Sequence, residues 1–187
     1  MALCDYLISS DIAGFDCESP MVKGVESMGV LLNRQDIDYN GEIASANPFL
    51  LNFAKEINKC GTVGYRIIQP GKTPFNGTQQ ELVEGTYQNT MTNTLQIVVL
   101  RQDADWAKQL FALMNGEFVA ILRNKNGSEQ VYGYEAGLHC TGAVRELYND
   151  DTLSGWLITM TEEGATKGNL FVDEGTIEVC LNIIPCE

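Results

Sequence analysis

Glu117-Phe118-Val119-Ala120-Ile121-Leu122-Arg123, followed across Asn126-Gly127 by Glu129-Gln130-Val131-Tyr132-Gly133-Tyr134, is the stretch on which the fold class turns. Both runs are rich in the β-branched and aromatic residues that strands favour. Asn and Gly tolerate positive φ, and a turn built from them has the twist of paired strands, so Asn126-Gly127 predicts a β-hairpin.

Three more Asn-Gly dipeptides occur, at Asn40-Gly41, Asn76-Gly77 and Asn115-Gly116, and at least two of the four read as hairpins. Further strands are expected at roughly 28–38, 62–69, 84–100, 138–147, 153–161 and 176–184. Within 84–100, the run from Thr86 to Leu100 holds no Gly or Pro, and its first half is polar on both faces. Such a strand predicts an extended β-arm, around 84–94, that leaves the core. One helix is expected at about 103–114: Asp103 or Asp105 caps it, Trp106, Leu110, Leu113 and Met114 fall at helical spacing, and Asn115-Gly116 gives a left-handed exit. A second is expected from Asn47-Pro48 through Ile57, because Asn caps well and Pro suits a first turn. Gln69 to Asn76, with Pro70, Gly71 and Pro74, reads as a loop. The fold is therefore mainly β, in a single domain over 1–187, with no internal repeat or low-complexity tract.

The chain has 187 residues, 44% hydrophobic and 20% charged, ordinary for a globular domain. Its net charge is −13, which argues against holding nucleic acid through neutralised phosphates. The acids gather at the ends: residues 1–22 carry four acids and no base, and residues 146–187 carry nine acids and only Lys167. This reads as a solvated acidic surface or as an anionic face suited to repelling a polyanion. The longest apolar runs, Ile97 to Leu100 and Phe118 to Leu122, are too short to span a bilayer, so no membrane partner is expected. The first ten residues lack a basic segment followed by a long apolar one, so folding in a cytoplasm is expected.

Cys4, Cys17, Cys60, Cys140, Cys180 and Cys186 form no Cys-x-x-Cys pair and read as reduced thiols. Asp36-Ile37-Asp38-Tyr39-Asn40-Gly41-Glu42-Ile43 matches the first eight positions of an EF-hand calcium loop, but the twelfth position is Asn47, not the bidentate Glu. A hairpin turning at Asn40-Gly41 with exposed Asp36 and Asp38 explains the same residues. His139 and Cys140 are strand neighbours and so point to opposite faces, unsuited to a thiolate–imidazole pair. The acid pairs Asp103 and Asp105, Asp150 and Asp151, Glu162 and Glu163, and Asp173 and Glu174 lie mostly at turns or the helix cap, where Asp has a structural role. No Gly-rich phosphate loop occurs. No catalytic, cofactor-binding or metal residue is assigned, and no enzyme activity or cofactor is expected.

The order Leu95 to Leu100, Asp103-Ala104-Asp105-Trp106 to Met114, Asn115-Gly116-Glu117 to Leu122, Tyr132-Gly133-Tyr134-Glu135-Ala136-Gly137-Leu138 and Gly155-Trp156 to Glu162 is similar to virion proteins of tailed bacteriophages. Together with the opening segment holding Cys4 and Cys17, it resembles tail-tube or tail-ring subunits. The resemblance implies a β-sandwich or open barrel with one flanking helix, whose copies join sheets edge to edge into a ring around a channel. It further implies contacts with neighbouring virion proteins, a place in the virion after synthesis in the bacterial host cytoplasm, and DNA passing through without specific binding. Long strands that need edge partners, and an anionic excess that repels phosphates, agree with it. Against a lumen lined by acids, the acids sit at the termini and not in the central strands. The competing expectations are another virion part (connector, hub or capsid accessory protein), a carbohydrate- or calcium-dependent binding module, and an enzyme. A binding module predicts a ligand-stabilised monomer.

Replacing Asp36 and Asp38 with Asn is expected to leave the melting temperature in calcium unchanged. A calcium-dependent shift in the wild type that this variant lacks, read by calorimetry, would establish a metal loop.

Overall fold

In the computed structural model, which describes residues 24–37, 39, 47–51, 63–69, 71–147, 154–168 and 170–181, the Asn126-Gly127 region joins β6 (Phe118–Asn124) to β7 (Glu129–Tyr132) as expected. The turn is one residue longer than a two-residue hairpin. Gly127 N–H donates to Asn124 O at 2.9 Å, so Lys125 and Asn126 sit at its centre, and Gly127 takes the left-handed φ of 92°. Asn126 Oδ1 accepts the Ser128 N–H at 3.1 Å, which closes the far side.

Two antiparallel layers carry the chain. The first holds six strands in the order β2 (Leu50–Leu51), β10 (Leu170–Val172), β7, β6, β1 (Val25–Asn33) and β3 (Tyr65–Ile68). Only β2 with β10 is parallel. The second holds β4 (Gln79–Val83), β5 (Thr90–Val99), β9 (Trp156–Ala165) and β8 (His139–Arg145) in that order. With the helix α1 (Ala104–Asn115) beside it, this is a β-sandwich with one flanking helix.

Alternation along β6 explains the arrangement. Phe118, Ala120 and Leu122 face the second sheet, where they meet Leu95, Ile97, Ile158, Met160 and α1 Trp106 and Leu110. Val119 and Ile121 face the other way, with Val30, Leu32, Leu51, Val131, Ile177 and Cys180. A strand apolar on both faces must be covered twice, and the second face packs with the short helix α2 (Thr176–Cys180) and Ile37. Tyr132 is buried between the sheets, and that burial pushes its hydroxyl up to about 12.

Several expected elements differ. Residues 84–89 are a turn and not the first half of one strand: Asn89 Oδ1 accepts the Gly85 N–H at 3.3 Å, and the chain folds back so that β4 pairs with β5. Thr90 to Thr94 lie inside the sheet between β4 and β9, so the part that projects is narrower than 84–94. Thr176–Cys180 is helix and not strand, because Gly175, at φ 86°, breaks the extended run and the buried Glu129 carboxylate accepts the Gly175 and Ile177 N–H groups at 3.2 and 3.1 Å. The helix expected from Asn47 through Ile57 does not start at Asn47, and residues 52–57 lie outside the described residues. Asn47 Oδ1 accepts the Phe49 N–H at 3.0 Å in a local turn, and Leu50–Leu51 then pair with β10. Gly116 leaves α1 extended (φ −99°), not left-handed, with Asn115 Nδ2 donating to Phe111 O at 2.7 Å. Met114 of the expected apolar stripe is 54% exposed, whereas Asp103 does cap the helix, accepting the Trp106 N–H at 2.7 Å. Among the described Asn-Gly pairs only Asn126-Gly127 makes a hairpin, since Asn76-Gly77 lies in the turn before β4.

The two sheets are clasped by Glu162 of β9, which is 1% exposed. Its carboxylate accepts from Asn93 Nδ2 at 2.7 Å and from the N–H groups of Gly133, Glu135 and Ala136 at 2.9, 2.9 and 2.8 Å. Those three amides belong to the turn that carries the chain from β7 to β8, that is, from one sheet to the other. Glu135 returns the contact by accepting from the Thr166 N–H and hydroxyl. Glu162→Ala should cost about 3 kcal/mol or more by leaving these donors buried and unpaired. A lower urea midpoint at unchanged denaturant sensitivity is the expected result.

Candidate functional site

Strand β5 organises the exposed surface, because its two ends differ in kind. At its start lies the β4–β5 hairpin, whose tip is exposed. Every residue from Glu81 to Asn89 is exposed, including Leu82 (62%), Val83 (44%) and Tyr87 (100%). Three large apolar side chains in water on one arm are unusual for a chain that needs only its own fold. Glu81 and Glu84 stand among them.

At the other end of β5 a groove of about 770 Å³ opens between β3, the last turn of β5 and α1. Ile97 and Val99 form part of its wall, with Trp106 and Leu113 of α1 and the exposed Tyr65 and Ile68 of β3 around them. Two cations edge it. Arg101 pairs with Asp103 at 2.5 Å and more distantly with Asp105 at 3.9 Å, while Arg66 makes no ion pair among the described residues.

The groove exists because β4 stops short. It pairs only with Thr90 to Thr94, so the same edge of β5 is bare beyond that point. Bare strand edges are sticky, and side chains fill this one. Thr78 Oγ1 accepts the Gln96 N–H at 3.2 Å. Gln69, 3% exposed, pairs with Val98 as a strand would: its Oε1 accepts the Val98 N–H at 2.8 Å and its Nε2 donates to Val98 O at 3.2 Å. Its own N–H donates to Ser27 O at 2.7 Å, fixing the end of β3 against β1.

A separate charged knot holds the far face of the first sheet. Arg123 of β6 donates to Glu129, with side-chain exposure of 20% and 0%, and to Glu178 of α2 at 2.6 Å. The hydrogen bond from Arg123 holds the Glu178 carboxyl below its ordinary range. Arg34 donates to Glu117 at 2.9 Å and to Glu135 O at 2.9 Å, and lies 5.4 Å from the Tyr39 ring centroid, while the Tyr39 and Tyr134 rings meet tilted at 44° with centroids 5.3 Å apart. Both knots use their charges on each other, which is a structural role.

His139 and Cys140 sit on opposite faces of β8: His139 is exposed, and Cys140 packs against the inter-sheet core. Asp36 closes the turn after β1, accepting from Asn33 Nδ2 at 3.0 Å, while Asp38 and 40–46 of the calcium-like motif lie outside the described residues. Cys140, half-buried, and Cys180, buried, are in the reduced form, and Cys4, Cys17, Cys60 and Cys186 lie outside the described residues. Of the acid pairs, Asp103 caps α1, Glu162 is the clasp, and Glu163, Asp173 and Glu174 are exposed. Asp150 and Asp151 lie outside the described residues. Among the described residues no three His, Cys, Asp or Glu side chains gather as a metal site, and no helix is long and apolar enough to cross a membrane.

Sequence reasoning missed β4, the roles of Glu129 and Gln69, and the groove. For Glu129 a signal exists, since it opens a strand directly opposite Arg123 across the hairpin. Compared with protein-family models, curated proteins and solved structures, the chain matches none.

Gln69→Ala should bare the Val98 edge, accelerate hydrogen exchange at the Val98 amide and lower stability by about 1–3 kcal/mol. Retained protection at Val98 would show that the edge is covered in another way.

Proposed function

We propose that this chain is a structural subunit of a tailed-bacteriophage virion that assembles with copies of itself into a ring or tube of the tail, through which DNA passes without being bound. The observation that carries this reading is the exposed β4–β5 arm with Leu82, Val83 and Tyr87 in water. Apolar side chains held away from the core on a hairpin gain nothing for the monomer, but gain burial when a neighbour covers them. The resemblance to tail-tube and tail-ring subunits supplies the setting, and the sandwich with one flanking helix agrees with what that resemblance implies. A net charge of −13 suits a conduit that must let polyanionic DNA slide, because like charge opposes adsorption. In this reading the protein is made in the host cytoplasm, resides in the virion and touches neighbouring virion proteins at the ends of its ring or tube.

Light scattering and negative-stain microscopy on the full chain over a range of concentrations test the reading. Rings or tubes without added ligand are expected. A monomer at every concentration would overturn self-assembly.

A further inference from the structure

We propose that the tip of the β4–β5 arm, Leu82 to Tyr87, of one copy docks into the groove between β3, the end of β5 and α1 of the next copy. This deepens the assembly reading above and rests on it.

The occupant follows from geometry first. The arm leaves at the start of β5 and the groove opens at its end, and a ten-residue strand is about 30 Å long. The arm of a given copy therefore lies far from its own groove, so a groove that it fills belongs to another copy. Charge gives a second reason. The chain holds 25 acids against 12 Lys and Arg, yet the groove is edged by Arg66, which makes no ion pair among the described residues, besides Arg101 already held by Asp103, and the arm brings Glu81 and Glu84 beside its apolar residues. The third reason is the match of surfaces. Tyr87, Leu82 and Val83 are apolar and exposed, and the groove offers Tyr65, Ile68 and Leu100, exposed at 59%, 64% and 40%. The outer edge of β3 is unpaired among the described strands, so it adds open backbone N–H and C=O groups to the groove wall.

Donor and acceptor are different patches of one chain, which makes the contact head-to-tail. Repeating it closes a ring if the rotation per copy divides a full turn, and builds a filament if it does not. Every copy in a closed ring has its arm seated and its groove filled.

Two variants separate the halves: an arm variant, Leu82→Ser with Tyr87→Ser, and a groove variant, Ile68→Asp. All three positions are exposed, so each monomer should melt within about 2 °C of the wild type. Each variant alone should associate at least about tenfold more weakly than the wild type, by light scattering. An equal mixture should form dimers and stop there, because only one good arm and one good groove remain per pair. A variant that assembles like the wild type, or a mixture that yields no dimer, overturns the docking while leaving assembly by another surface intact. A wild type that never assembles overturns both readings. Should either variant misfold, photo-crosslinking from Tyr87→p-benzoylphenylalanine in the assembled wild-type background decides. Adducts at Tyr65 to Gln69 or Leu100 to Leu113 of a second copy support the docking, and adducts only elsewhere overturn it.

Discussion

Strand β6 is apolar on both faces, and two layers must be built over it for that reason alone. Phe118, Ala120 and Leu122 call for one cover, Val119 and Ile121 for another. The second sheet with α1 supplies the first, and α2 with Ile37 supplies the other. Each buried side chain of this kind contributes roughly 1.5–3 kcal/mol relative to exposure, so neither cover is optional. The polar groups in the core follow from the same demand. Chain that passes from one buried layer to the next carries backbone amides into places water does not reach, and Glu162 and Glu129 stand where those amides end.

Sheet edges are the complementary constraint. A sandwich of six and four strands has four edges, and this chain treats them unequally. Along the end of β5 it spends side chains, Gln69 and Thr78, to occupy backbone groups that a foreign strand could otherwise take. Along β3 it leaves the edge open, beside an apolar groove. At the β4–β5 tip it exposes apolar residues that the fold has no use for. Protection in one place and exposure in two others agrees with the docking proposed above, in which pairing is blocked along one edge and left open along another.

Legibility in the sequence divides along the range of the interactions. The hairpin at 124–128 and the helix Ala104–Asn115 were readable because their signals are local: Gly127 for a positive φ, Asp103 bonding Trp106 three residues on, and apolar residues spaced at one helical turn. The misreadings share one cause, a local preference outweighed by a partner or a competing local bond. Thr176-Ile177-Glu178-Val179-Cys180 has strand-like composition, yet a carboxylate 48 positions away caps it as helix. Residues 84–89 look like strand until Asn89 turns back on Gly85.

What the sequence alone determined is thus the mainly β character, the flanking helix, the central hairpin and the acidic balance, all set by neighbours within a few residues or by composition. Only the tertiary structure decided that Glu162 meets Asn93 and Gly133, 69 and 29 positions away, that Gln69 stands in for a strand at Val98, and that arm and groove lie at opposite ends of β5. The reason is that burial, not residue type, selects which distant groups meet: a Glu or Gln is equally at home in water until the packing of apolar strands encloses it with unpaired backbone amides and makes the bond between them obligatory.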